Sequence, residues 1–408
     1  MLELRWTSEK LASADRALAQ LETEIVARAA ELAPVVERNE DASVTITLHP
    51  AAAPLLLRTT EERVEVEADT GTAGPGYHED VYALVTGAAE KHAIPWERAP
   101  RAQDRPALEA QIDAWLGATV TEILAIAERG ATGFSILLPE GIEYAHSGML
   151  ATPLGPRDRA WLERVRENPS AGRDVFPWWG RGRGAEYHAG LARTLAWTEV
   201  RWRAPLDDRE RGLFDRIVTA IERAHGLDPS IALPWVEAAE LYELLGEDSL
   251  RATRAGVIAE GARRRGAKST LGYRRSPVRV SLSGGWSLVV PGELAERWEE
   301  HGTWVGWDRT RTIWMSSMSA ENSDETVDVL AGLPELPGDG ELLRMERGPI
   351  VGHARFASGE EDGKPISVLR AHAACGRHVA LGTIIQPEAA DRTWALETWG
   401  TLDRDDTG

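Results

Sequence analysis

The chain has 408 residues, enough for two to four domains at roughly 100–200 residues each. Its 46 basic and 65 acidic side chains leave a net charge of −19, which argues against a broad nucleic-acid interface, because such binding rests on neutralising phosphates. The composition, 43% apolar and 27% charged, is that of a globular protein, and no stretch approaches the ~20 uninterrupted apolar residues of a membrane span. The first ten residues carry Glu3, Arg5, Glu9 and Lys10 and no apolar run, so no secretory signal is predicted and the expected location is the cytoplasm. One cysteine, Cys375, excludes an internal disulfide framework and a multi-cysteine metal site; no cofactor or metal is expected. Lysine occurs only at Lys10, Lys91, Lys268 and Lys364, a bias that reads as GC-rich bacterial coding. Sixteen tryptophans against four phenylalanines leave room for a few as binding anchors beyond those a core uses.

In chain order, the apolar spacing of Leu11, Ala14, Leu18, Leu21, Ile25 and Leu32 predicts a helix over 8–38, ended or kinked at Pro34. This helix either packs on its own domain or serves as a short partner-binding seam. From residue 41 the period changes to two, predicting strands over 43–48, 55–58 and 64–68 with Glu61-Glu62 as a turn. Residues 70–76 form a glycine-rich loop, followed by helices over 77–92 and 107–128 and a strand-length apolar run at 134–138. A short helix is predicted over 157–166, a Gly/Pro/Arg-rich segment over 168–184, and helix throughout 185–265, with Asp207 and Asp208 available as a cap.

Within that helical stretch, Trp235, Ala238, Ala239 and Tyr242 keep the W-x2-L-G-x2-Y frame of the tetratricopeptide repeat, with Pro229 six residues before Trp235. Residues 186–247 therefore resemble one and a half such repeats, which implies an embedded helical pair rather than a solenoid, since a solenoid needs about three.

A boundary is placed in the basic stretch 266–276. Strands are predicted at 278–282 and 286–290, a short helix at 292–300, and then three hairpins: 303–307 with 310–318, 342–346 with 350–357, and 365–375 with 378–385. Helices are predicted at 324–330 and 389–402. This element order, with the segments GGWSLVVPGELAERW and ADRTWALETWGTL, resembles the PsbP-like α/β/α sandwich, a group that includes DcrB-like proteins and the Eag-type adaptors of type VI secretion effectors. The resemblance covers about 277–404. It implies a binding or scaffolding role and carries no catalytic residue across.

Several constellations could carry chemistry. His372, Cys375 and His378 are spaced like ligands, but a two-residue turn at Gly376-Arg377 would set Cys375 opposite His378 and turn His372 to the other face. The 71–76 loop precedes a helix as a phosphate loop would, yet it lacks a GK[ST] ending, and Glu79 and Asp80 already complement the helix dipole. Glu140 and Glu143 near Tyr144 and His146 resemble paired catalytic carboxylates or a polar loop after a strand. Trp178 and Trp179, with Arg181 and Arg183 beside them, combine the residue types enriched at hot spots; the alternative is a loop folded back to cap the helical layer.

The expected architecture is multidomain α+β: an N-terminal α+β unit over 1–150, a helical layer over 151–270 and an antiparallel α/β/α sandwich over 277–404. The expected function is non-enzymatic protein binding, as a bacterial adaptor, chaperone or immunity protein linked to a secretion or toxin system. Its partner would be another protein, with no nucleic acid or membrane bound, and Trp178, Trp179, Arg181 and Arg183 would form the binding residues. The alternative is a hydrolase with a site between the N-terminal unit and the helical layer, using Tyr77, His78, Glu140, Glu143 and His146.

Overall fold

The first strand is built by alternation: Leu2, Leu4 and Trp6 are buried while Glu3 and Arg5 face out, and this places β1 (Glu3–Ser8) in a sheet. The computed structural model describes residues 2–131, 133–138, 148–266, 271–320, 325–338, 340–388 and 390–405. After β1 come α1 (Ala14–Arg28), β2 (Val35–Arg38), β3 (Val44–Thr47), β4 (Leu55–Thr60), β5 (Arg63–Asp69), α2 (Pro75–Lys91) and β6 (Trp96–Arg98). Their strands form one antiparallel sheet in the order β2-β3-β4-β5-β1-β6. The helix predicted over 8–38 shortens to α1. Its seam of Leu18, Leu21 and Ile25 is buried, Ala33 adopts φ 50° ahead of Pro34, and the chain re-enters the sheet at Val35. The predicted Glu61-Glu62 turn is present, both residues left-handed between Thr60 and Arg63.

Next come α3 (Arg105–Ala127), β7 (Phe134–Ser135), β8 (Leu150–Thr152), β9 (Gly155–Arg157), α4 (Arg159–Glu167), α5 (Ala185–Thr198), α6 (Asp208–Leu227), α7 (Trp235–Leu245) and α8 (Leu250–Arg264). Leu108, Ile112, Leu116 and Val120 of α3 pack on Trp161, Leu162 and Val165 of α4, the 3.6-residue spacing of each helix supplying the shared core. Asp158, Asp207 and Ser249 cap α4, α6 and α8 by accepting the amides of Trp161, Glu210 and Ala252.

The remaining elements are β10 (Val278–Ser281), β11 (Trp286–Val290), β12 (Ala295–Trp298), β13 (Trp304–Trp307), β14 (Thr312–Ser319), α9 (Thr326–Ala331), β15 (Leu343–Arg347), β16 (Ile350–Glu361), β17 (Lys364–Cys375), β18 (His378–Pro387), α10 (Thr393–Gly400) and β19 (Asp403–Arg404). Seven strands form an antiparallel sheet, β12-β13-β14-β18-β17-β16-β15, and β10-β11-β19 form a smaller one. The helix predicted at 292–300 is instead the edge strand β12. Gly292 passes so close to the Arg274 and Ser276 carbonyls that a Cβ would lie 2.4 Å from each, and the chain then pairs with β13. Val329 and Leu330 of α9 cover Ala374 and Val379, whereas Trp399 of α10 lies over Gly352, on the opposite face by alternation with Val351. The protein is thus multidomain α+β with a helix on each face of its C-terminal sheet.

The chain divides into two compact units. The first holds the described residues up to Val200 together with Asp207–Gly272; the second holds Arg201–Leu206 and Tyr273–Gly408. Among the described residues no helix is long and apolar enough to cross a membrane.

Candidate functional site

In the first unit, the tryptophan segment runs through the interior. Trp178 is fully buried, its N–H donates to the Ala73 carbonyl at 2.9 Å and its carbonyl accepts from Gly76 N–H at 3.1 Å. Glycines permit this approach. A Cβ on Gly76 would sit 2.0 Å from the Gly180 carbonyl oxygen, and one on Gly190 of α5 would sit 1.8 Å from that of Pro177. The glycine-rich 71–76 loop therefore cradles a tryptophan backbone. The exposure expected of Trp178 is corrected for this reason: missing side chains on both neighbours let the segment sink between them. Trp179 is half-buried, its ring lying 4.6 Å beneath the Arg173 guanidinium, which is held by Asp113. Arg183 pairs with Asp80 at 3.1 Å, while Arg181 reaches Glu79 at 3.6 Å with 72% of its side chain exposed. The two acids that sequence reading placed at a helix dipole thus anchor these arginines.

Around Trp178 the rings of His49, Tyr77 and Tyr187 close a cluster, with Trp178 and Tyr187 centroids 4.3 Å apart. Burial pushes His49 down to about 3 and Tyr187 up to about 12, and raises Tyr77 as well. His49 Nε2 and both phenol oxygens find no hydrogen-bond partner among the described residues. His78 is also buried and neutral, pushed down to about 4 by desolvation. Thr70 donates its hydroxyl proton to the Leu2 carbonyl, so at the 2.7 Å contact His78 Nδ1 donates to the Thr70 oxygen. Of the hydrolase candidates, Tyr77 and His78 are thus packed into the interior, and Glu140, Glu143 and His146 lie outside the described residues.

In the second unit, Cys375 faces His378 and His372 faces Leu381, as the turn geometry requires. His372 instead meets His353, a residue sequence reading did not single out, at 3.5 Å across the strands. Among the described residues no group of three or more His, Cys, Asp or Glu side chains could hold a metal ion. The sheet face carrying His372 is covered by α9 at one end. Elsewhere on it Trp314 and Met318 of β14 point outward, 37% and 51% exposed, beside Leu381, Thr383 and the exposed Arg370.

No family model matches the chain, and no curated protein matches it. Among solved structures it is similar to a Bacteroides thetaiotaomicron protein, with 14% identity and a TM-score of 0.26 over 30% of this chain and 46% of that one. It is also similar to cyanobacterial PsbP from Synechocystis, with 14% identity and a TM-score of 0.17 over 34% of this chain and 98% of that one. The chain therefore spans less than half of the Bacteroides protein, and neither likeness assigns it to a family.

Proposed function

We propose that this chain is a non-enzymatic protein-binding protein, an adaptor, chaperone or immunity protein of the bacterial cytoplasm, with its second unit as the docking module. The observation that supports the reading is the uncovered part of the seven-stranded sheet. Trp314 and Met318 lie on one face with Arg370 two strands away, joined through the Trp314–Thr383 and Thr383–Arg370 pairs. Tryptophan, methionine and arginine are enriched in interface cores, and a sheet face presents them in one plane. The partner would offer an apolar patch with a carboxylate at its rim for Arg370. The reading keeps the Eag-type adaptors and the tetratricopeptide-like pair as precedents for folds that hold another polypeptide. The hydrolase alternative has less support, because Tyr77 and His78 are buried and neutral.

The test is quantitative capture from the native host with wild type and the double variant Trp314→Ala/Met318→Ala. Both side chains are substantially exposed, so the melting temperature should hold. Losing such anchors costs on the order of 2–4 kcal/mol of binding, about thirty-fold or more in affinity, so the principal co-purifying protein should disappear. Retention of every partner at wild-type levels by a normally folded double variant would refute the docking face.

A further inference from the structure

In the second unit β16 and β17 pair in unbroken register from Val351–Ala374 to Glu361–Lys364. Register decides which side chains meet, and it sets His353 directly opposite His372, where partner Cα atoms stand about 4.5–5.5 Å apart. Both imidazoles therefore reach the same point. His372 Nε2 lies 3.5 Å from His353 Nδ1, with the ring centres 5.6 Å apart and the planes at 62°. His372 is 7% exposed, and the half-buried His353 forms the side of the pair that meets solvent.

At 3.5 Å the contact is longer than a good hydrogen bond and holds the two rings only weakly. A shared metal ion fits the spacing better. Imidazole nitrogens bind zinc at about 2.0–2.1 Å, so two of them on one tetrahedral ion stand about 3.3–3.4 Å apart. At the same bond length an octahedral ion would draw them to about 2.9 Å, so the spacing favours the tetrahedral one. Metal binding also needs neutral imidazoles. Burial, and then the neighbouring His353, holds His372 below the usual histidine value, which keeps its lone pair available at neutral pH.

Four side chains flank the pair on this face of the sheet. Leu381 stands opposite His372, Arg344 stands opposite His353, and Arg355 and Arg370 lie two residues along their strands. Arg344 is paired with Glu346 at 2.6 Å and Arg355 with Glu335 at 3.2 Å, while Arg370 is exposed and its charge is screened by solvent. Among the described residues no third histidine, cysteine or carboxylate joins the two rings, so the protein supplies two nitrogens and leaves the other positions to water. We propose that His353 and His372 form an open, exchangeable site for a tetrahedral transition-metal ion of the zinc class. The site does not rest on the docking role argued above, because Trp314→Ala/Met318→Ala leaves both imidazoles in place.

The test is titration of the full chain with zinc chloride at about pH 7.5 in a buffer that does not bind metals, followed by calorimetry and by the nitrogen NMR signals of the histidine rings. Magnesium chloride serves as the hard-ion control. The expected result is a zinc Kd below about 500 µM, with the ring signals of His353 and His372 shifting together and magnesium at least ten-fold weaker. His353→Asn and His372→Asn should each weaken binding about ten-fold or more. His301→Asn, at an exposed left-handed position that asparagine tolerates, should leave it unchanged. Should His372→Asn disturb the fold, the half-buried His353 decides alone. A zinc Kd above about 500 µM, full affinity in His353→Asn, or magnesium binding as tightly as zinc would each overturn the proposal.

Discussion

His49 should make the first unit acid-labile, and the size of the effect follows from its surroundings. Its Nδ1 accepts the Ala51 N–H at 3.1 Å, so the neutral ring carries its proton on Nε2, facing the aromatic cluster. Protonation would place a second N–H where the Ala51 amide already points, in a site closed to water. Burial accordingly pushes the group down to about 3. The unfolded chain takes up this proton below about pH 6.5 while the folded chain refuses it until about 3, so stability is complete above that window and falls as pH drops through it. Between about pH 7 and 4.5 the loss is about 2.5 kcal/mol, with His78, pushed down to about 4, adding in the same direction. The comparison is wild type against His49→Asn, whose carboxamide oxygen can still accept from the Ala51 amide but does not titrate. Urea unfolding read by pulsed hydrogen exchange of α2 peptides follows the first unit by itself. The variant should be less stable at neutral pH from lost packing, yet its further loss on acidification should be smaller by about 2.5 kcal/mol. Equal losses in the two proteins would refute the reasoning.

Two further outcomes are expected. Gly190→Ala drives a Cβ into the Pro177 carbonyl oxygen, a contact with no flexible side chain to yield, and should cost about 3 kcal/mol or more; Gly212→Ala on α6, with nothing within 4 Å, should be neutral or stabilising, and equal melting of the two variants would count against the steric account. Expressing Tyr273–Gly408 alone omits Arg201 and Arg203, which donate to the Leu294 and Glu293 carbonyls. That fragment should melt several degrees below the second unit of the whole chain, with a peptide spanning 199–207 recovering part of the difference, and an unchanged midpoint would remove Arg201–Leu206 from the account of stability.

Legibility followed locality. The hairpin at Gly376-Arg377 could be read to the residue because a two-residue turn fixes register, and Cys375, His378 and His372 fell where alternation put them. β1 was missed because its apolar residues, Leu2, Leu4 and Trp6, are interleaved with charges over only a few positions, too short a run to stand out from the helical seam beside it. Trp178 was legible as unusual but not as buried. The signal lay in small residues far from it, Gly74, Gly76 and Gly190, and nothing local connects them.

The stitching of Trp178 to Ala73 and Gly76 also sets a timetable for synthesis. These partners are about a hundred residues apart, and the Gly190 surface that completes the groove comes later still. At ~5–20 residues per second, the start of α2 waits on the order of ten seconds for the segment that covers it. Throughout that interval His49 and Tyr77 have no Trp178 or Tyr187 to close over them. The nascent chain presents an open aromatic trough before it can fold its first unit, and contacts of such long sequence separation make that folding slow. Cellular yield of this protein therefore depends on what shields residues 49–90 during translation as much as on the stability of the finished molecule.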